Sequence, residues 1–484
     1  MDFLLKEIYL NYYGLNKNLN LFTDRDFIKL VYGLRNIKND RINNKKYIKN
    51  FKDSMKIDIL NKINSKEKDS FFTEKEFLHF TYPLEQTITR LQIIYLTIGK
   101  QTWKEIFGFK YSFFINLICF IVFRVNNYNN YYLEKNQDLK NNYKMSYPNS
   151  TNFFMTKKEL YNFFPSRKKD IDDILQIISI DIKDIKKIKD TYLLLKYNDT
   201  YILYFIWDFL YNLYDILEKK VIEHYNKDKY YLDRGTNFEN YCFQKLVDAF
   251  PKFNIFKNLY YKGKTVENEI DILLETNNEI IIFECKSAKF DIHKTENDNE
   301  MKNAFLRAFG RGFKTINNFY NYIKNNGNEL YDKRSKQCFS FDFKTKKVIF
   351  INLSLYNIEY LQSCVQNISE ELIKPVNMYP INWNFIDFLT IMDLAKFNYK
   401  LVSEYLNKRF NIINKHKKLK LDEDEIDAFG FLTDKNNNKI YNMLLNTDSN
   451  INTEFMISNG EYRNTINKLF NERFINRFRK QNYN

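Results

Sequence analysis

With 484 residues the chain is too long for one ordinary core, and two to four domains are expected. A hydrophobic share of 44%, with 18% aromatic residues, excludes an intrinsically disordered chain. A net charge of +15 and a pI near 9.1 fit a polyanionic partner, because each Lys or Arg that meets a phosphate releases condensed counterions. The charge is permissive for nucleic acid rather than diagnostic, since Asn, Lys, Ile, Tyr and Phe are all abundant together, as an A+T-rich coding sequence produces without selection on charge.

The five cysteines, Cys119, Cys242, Cys285, Cys338 and Cys364, have no CxxC spacing and an odd total. That argues against a disulfide framework and a zinc knuckle, and a reduced, cytoplasmic setting is the expectation. The start, MDFLLKEIYLNYYG, has neither a basic lead before an apolar block nor a small-residue cleavage site, so export by that route is not expected. Residues 1–228 read as mainly helical, with apolar positions recurring at three and four through Phe77, Phe80, Leu84, Ile88, Leu91, Ile94 and Leu96. The most apolar run, FFINLICFIVF at 113–123, is much shorter than the roughly 20 residues that span a bilayer. It reads as a buried helix, with no membrane partner.

Asn/Tyr/Lys-rich sequence at 126–148 reads as a loop or linker and a place for a domain boundary. At 191–205 (TYLLLKYNDTYILYF), Asn198-Asp199 separates two β-prone runs as a hairpin turn would. From residue 229 to 356 the pattern is mixed: a helix over 236–250, strands over 270–275 and 279–286, a helix over 299–326 closed by Gly327, and a strand over 347–355. The fold class expected is α/β of mixed α+β character, a sheet covered by helices on both faces. Residues 357–484 return to helices, including IDFLTIMDLAKF and LVSEYLNKRF, and such flanking regions can serve a protein partner or homo-oligomer.

The stretch EIDILLETNNEIIIFECKSAKF places charge deep in strand-like sequence. Asn277-Asn278 suits a two-residue type I′ hairpin loop, since Asn tolerates positive φ. That register sets Leu274 opposite Ile281, Leu273 opposite Ile282, and Asp271 across from Glu284, with Lys286 on the same face as Glu284. Ile270, Ile272, Leu274, Ile281, Phe283 and Cys285 make the other face wholly apolar. Two carboxylates forced together under cover repel and are costly to desolvate unless a cation joins them. A divalent metal is the simplest one; an ordinary cross-strand salt-bridge cluster with Lys286 is the plain alternative. Glu239 projects from the middle of the apolar stripe Phe238, Cys242, Phe243, Leu246, Val247 and Phe250. Thr236-x-x-Glu239 is also a capping box, so Glu239 can serve the metal, the helix cap, or both.

Gly235-x-x-x-Glu239 opening a helix, Asp271 in NEID, and Glu284-Cys285-Lys286 thirteen positions on together resemble the PD-(D/E)xK nuclease superfamily, in particular its nuclease-related-domain branch. The resemblance covers roughly 231–356 and departs from the eponymous pattern in having Ile270 where proline stands. It implies a restriction-endonuclease-like α/β/α core. It also implies that Asp271, Glu284 and the Cys285 carbonyl hold Mg²⁺, with Glu239 bound directly or through water and Mn²⁺ able to substitute. Lys286 would orient or help deprotonate the attacking water. Hard oxygen ligands suit Mg²⁺, which lowers the pKa of bound water and neutralises the scissile phosphate.

Arg307, Arg311 and Lys314 flank a core stripe through Met301, Ala304, Phe305, Ala308, Phe309, Phe313, Ile316 and Tyr320; they are either phosphate contacts or a solvated basic face. Gly310 and Gly312 would weaken an isolated helix and permit close backbone approach. The acidic run DEDEID at 422–427 lacks the EF-hand glycine and reads as a solvated loop or helix start. His79, His224, His293 and His416 are isolated, and no phosphate-binding glycine motif occurs. The expectation is a metal-dependent endonuclease acting on nucleic acid, DNA before RNA, with restriction or host defence as the role that the resemblance suggests. A nucleic-acid-binding protein with a non-cutting nuclease fold, and a helical interaction protein, are the rivals.

Overall fold

The computed structural model describes residues 83–122, 153–181, 194–203, 206–262, 267–289, 303, 306–325, 327–356, 377–395, 397–415, 420–421, 425–446 and 454–455. The low-complexity stretch at 126–148, and with it the boundary expected there, lies outside them, as do His79, His293 and His416. The described residues divide into two compact units, one up to Tyr231 and the other from Leu232.

In the first unit, α1 (Pro83–Phe107) is broken at Gly99, whose φ of 78° suits the one residue without a Cβ. It is followed by α2 (Tyr111–Val122), which carries the apolar run as far as Val122 as a buried helix; Phe123 lies outside the described residues. Among the described residues no single helix is long and apolar enough to cross a membrane; α1 from Thr87 and α2 pass by length and composition only as a pair bent by 78°. The unit is less purely helical than expected. Strands β1 (Phe153–Thr156), β2 (Ser179–Asp181), β3 (Leu194–Tyr197) and β4 (Thr200–Leu203) form a sheet of order β1-β4-β3-β2. The expected hairpin is β3–β4, with Asn198 at a φ of 52°. Helices α3 (Lys157–Phe163), α4 (Lys168–Ile178) and α5 (Ile206–His224) complete it, and Thr87 donates its hydroxyl to the Leu210 carbonyl at 2.9 Å to tie α1 to α5.

The second unit is a mixed α/β structure. It opens on α6 (Lys227–Ala249), whose residues up to Tyr231 belong to the first unit; the helix begins nine residues before the expected start, with Asn226 accepting the Lys229 N–H at 2.9 Å as its cap. Thr236 is therefore inside the helix, where no free N-terminal amide needs its hydroxyl, and the capping-box role for Glu239 falls away. Seven strands follow: β5 (Asn254–Lys262), β6 (Glu267–Glu275), β7 (Glu279–Lys286), β8 (Glu329–Asp332), β9 (Cys338–Ser340), β10 (Lys347–Ser354) and β11 (Ile381–Asn384). Their order is β11-β10-β7-β6-β5-β8-β9, parallel across β7, β10 and β11 and antiparallel elsewhere. Because β11 pairs with β10, the chain beyond residue 357 adds a strand to this sheet instead of forming a separate helical region.

The β6–β7 register matches the expected one, with Leu274 opposite Ile281 and Leu273 opposite Ile282. The turn does not: neither Asn277 nor Asn278 has positive φ. Instead the Thr276 hydroxyl accepts the N–H groups of Asn278 and Glu279 at 3.3 and 2.9 Å, a side-chain-held turn that needs no left-handed residue.

Both sheet faces are covered. On one, Cys285 lies against Cys242 of α6, and Phe283 meets Trp383 and, on α8 (Phe385–Leu394), Phe388. On the other lies α7 (Arg311–Lys324), entered through a π turn over Leu306–Gly310 where a continuous helix was expected. Ala308, Phe309, Phe313 and Ile316 are buried, as is Phe319, which packs against Tyr261, Phe343 and Phe350, whereas Tyr320 is only partly buried. Met301, Ala304 and Phe305 lie outside the described residues.

Helix α9 (Tyr399–Lys415) is anchored to the sheet through Glu279, whose buried carboxylate accepts from Tyr399, Ser403 and Asn407. It also holds Arg409, buried and paired with Glu425 at the start of α10 (Glu425–Thr433). The acidic run thus ends in a buried helix start, and its solvated reading fails for Glu425 and Asp427 because Glu425 has a guanidinium to meet and both are covered; 422–424 lie outside the described residues. Removing one member of a buried pair strands the other charge. Arg409→Ala should therefore cost about 3–5 kcal/mol in chemical denaturation. Arg409→Met combined with Glu425→Leu should cost much less, since neither charge is then left alone.

Candidate active site

Strand β5 reverses its faces in mid-course. Lys257 lies over the Phe243 ring of α6, at 5.3 Å, whereas Tyr261, four residues on, packs against Phe319 of α7 at 5.0 Å. Strict alternation would put the two on one side. The reversal occurs at Asn258, whose φ is 54°, and the β5–β6 ladder passes from the Lys257–Ile272 pair to the Leu259–Ile270 pair without an Asn258–Asp271 pair. On the other side of β6 the ladder with β7 ends at Ile272–Phe283. Asp271 sits where β6 parts from both neighbours.

Its carboxylate fills that break. Asp271 Oδ2 accepts the Cys285 N–H at 2.6 Å, in place of a strand-to-strand bond, and lies 3.9 Å from Lys286 Nζ. The Lys286 ammonium also bonds Glu284, so it bridges the two carboxylates. Thr315 of α7 lies near enough to Glu284 to favour its charged form, while its hydroxyl donates to the Arg311 carbonyl at 3.1 Å. The side chains of Asp271, Glu284 and Lys286 are only 12%, 5% and 19% exposed.

Electrostatics follow from that burial. Burial, then the Asp271 charge, pushes the Glu284 carboxyl up to about 8 against the pull of Lys286. Burial also raises Asp271, opposed by Lys286 and by the Cys285 N–H. Burial alone would lower Lys286, but Glu284 and Asp271 reverse this and hold the ammonium charged.

Glu239, partly buried on α6, is pushed up to about 8 by burial and then by Asp271, with Lys286 opposing and Glu269 and Glu284 adding to the rise. It answers to the same charges as the two strand carboxylates. The Cys285 thiol does not belong there; its hydrogen bond with Cys242 behind the strand raises it well above the usual thiol range. Its main-chain N–H is what bonds the charged group.

Arg307, Arg311 and Lys314 are exposed on the π turn and on α7. His224 is exposed at the end of α5, its Nδ1 2.8 Å from the Lys220 carbonyl oxygen. Four participants were missed. Glu269 lies two residues before Asp271 in NEID, and its carboxyl is raised by burial while Tyr260 offers it a hydrogen bond. Period two along the strand was the signal that could have found it. Arg234 of α6 donates to the carbonyl of Ser287, the residue after Lys286, at 2.8 Å. Asn352 of β10 stands beside Glu284, and an Asn inside the apolar KVIFINLSL was a signal for it. Thr315 carried none. Among the described residues, no three His, Cys, Asp or Glu side chains stand together as a metal-ligand group, and the Lys286 ammonium is what bridges Asp271 and Glu284.

A family model described as a domain of unknown function (DUF4143) matches residues 234–339, from Arg234 on α6 to Phe339 on β9. No curated protein matches the chain. A solved structure, protein VC1899 from Vibrio cholerae, is similar at 10% identity over 66% of this chain and 56% of its own length, with a TM-score of 0.20. The chain thus spans little more than half of that protein, and a likeness so slight carries no argument.

The raised carboxyls make stability depend on pH. An unfolded Glu titrates near 4.5, so between that value and about 8 the folded protein binds more protons than the unfolded chain. Stability falls as pH rises through this window. Thermal melting of metal-free protein should show Tm dropping from about pH 5 to about pH 8, and Glu239→Gln should flatten the drop. A wild-type profile that is level or rising there would contradict the burial described.

Proposed function

We propose that the chain is a divalent-cation-dependent nuclease whose second unit has a restriction-endonuclease-like core. The observation that carries this reading is the meeting of Asp271 from β6 with Glu284 and Lys286 from β7, at the point where the main-chain pairing of β6 is interrupted. Glu239 on the preceding helix shares their electrostatic field.

The donor set fits Mg²⁺ or Mn²⁺. It consists of carboxylate oxygens and the Cys285 main chain, with the cysteine thiol turned elsewhere, and hard cations prefer oxygen. Glu239 and Glu284 are held toward their protonated forms by burial and by neighbouring negative charge, a penalty that a bound cation relieves. When bound, the cation supplies an acidified water and neutralises phosphate charge.

The chain's own residues do the rest. Asp271 and Glu284 orient the centre, and the Cys285 N–H fixes the Asp271 rotamer. The Lys286 ammonium stays charged, and placed beside the scissile phosphate it stabilises the negative charge that grows in the transition state. Arg234 fixes the chain just beyond Lys286. Exposed Arg307, Arg311 and Lys314, with the net charge of +15, suit backbone phosphates of DNA or RNA, DNA being the first substrate to test.

A second reading has its own observation. Lys286 bonds Glu284 directly, as in a structural ion-pair cluster, which would leave a nucleic-acid-binding protein that does not cut. Cleavage of plasmid and labelled oligonucleotides with Mg²⁺, Mn²⁺ or EDTA separates the two. Asp271→Asn and Lys286→Ala should each reduce cleavage about a hundred- to thousandfold while salt-dependent binding stays close to wild type; Asp271→Asn should melt close to wild type, whereas Lys286→Ala, which leaves two buried carboxylates without their cation, should melt lower and is compared at a temperature where it is folded. Variants that cut like wild type would remove the assignment, and a wild type that binds but never cuts would favour the second reading.

A further inference from the structure

Asn352 lies on β10 directly beside Glu284 of β7, in parallel register and so on the same sheet face. Its side-chain NH₂ donates to Asn382 Oδ1 on β11 at 3.2 Å. Its own Oδ1 is wholly buried and has no hydrogen-bond partner. A buried amide oxygen without a donor is costly, and such atoms are uncommon in folded proteins.

Gly312 of α7 lies directly over that oxygen. A Cβ at Gly312 would fall 2.1 Å from Asn352 Oδ1 and 3.4 Å from Glu284 Cγ. One missing methyl group thus borders both side chains, and any other residue would collide with the amide. The Asn352 amide and the Glu284 side chain are thus neighbours beneath the same point of the helix, on adjacent strands in register. The amide oxygen lacks a donor, the neighbouring Glu284 carboxyl is held toward its protonated form and gives up that proton when a cation enters, and an amide oxygen is a hard ligand of the kind Mg²⁺ and Mn²⁺ accept beside carboxylates.

We propose that Asn352 Oδ1 is a further oxygen donor to the divalent cation held by Asp271 and Glu284, so that the centre spans three adjacent strands, β6, β7 and β10. This rests on the nuclease reading, but its test is metal binding. Lys286 then has to release Glu284 when the cation enters, leaving the ammonium free to face phosphate.

Mn²⁺ titrated into the full chain, with free ion counted by electron paramagnetic resonance, gives Kd for wild type, Asp271→Asn, Asn352→Leu and Asn352→Asp. Far-ultraviolet circular dichroism and melting check the fold of each. Asn352→Leu should weaken binding about tenfold. Asn352→Asp keeps the oxygen, adds charge and should tighten it; this near-isosteric variant decides the matter if the leucine variant fails to fold. Loss of binding in Asp271→Asn with unchanged binding in Asn352→Leu would overturn this inference and leave the nuclease reading intact. Weaker binding in Asn352→Asp would also overturn it, since that result means the side chain presents its NH₂ group to Glu284. A wild type that binds no Mn²⁺ would overturn both.

Discussion

Asp271 and Glu284 put two acidic groups in one largely dry place, and the Lys286 ammonium that touches both is what allows them to coexist. Two such carboxylates repel, and their desolvation is not offset by Coulomb attraction unless a cation is held in good geometry. Glu239 and Glu269 add to the negative side of the balance. The carboxyls of Glu239 and Glu284 are accordingly pushed up to about 8, so the site is poised between binding protons and binding a positive ion.

Much of the second unit makes that cluster possible. Asn258 takes a left-handed conformation that turns β5 over, and the pairing of β6 opens opposite it, which frees Asp271 to use its side chain on the Cys285 N–H. Glycine at position 312 brings α7 close over Glu284, with Thr315 one turn on. Arg234 holds the chain after Lys286 from the other side of the sheet. Each device lies on a different element. Misplacing one would alter the site without destroying the core.

The far end of β7 is held by neutral donors rather than by an ion pair. Glu279 is buried, like Glu284, but Tyr399, Ser403 and Asn407 all donate to it. One strand therefore carries two buried glutamates of different character. The carboxylate with three neutral donors anchors a helix, whereas the one crowded by charge is the reactive candidate, which agrees with the tendency of perturbed acids to mark functional sites.

Local sequence alone determined the β6–β7 register, the apolar face behind it, the hairpin in the first unit, and the approach of Asp271, Glu284 and Lys286. These depend on alternation and short loops, which act over a few residues and leave their pattern in the chain. Tertiary structure decided the rest. The true start of α6 depended on Asn226, ten residues before the Thr236 that imitated a cap; a capping pattern is too short to tell a helix start from its middle. The turn at Asn277-Asn278 was settled by the Thr276 hydroxyl, and the π turn before α7 left no periodic sign. The membership of β11 in the sheet, and the meeting of Asn352, Gly312 and Glu284, join residues far apart in sequence. Such contacts follow from how helices and strands pack, and no local spacing encodes them.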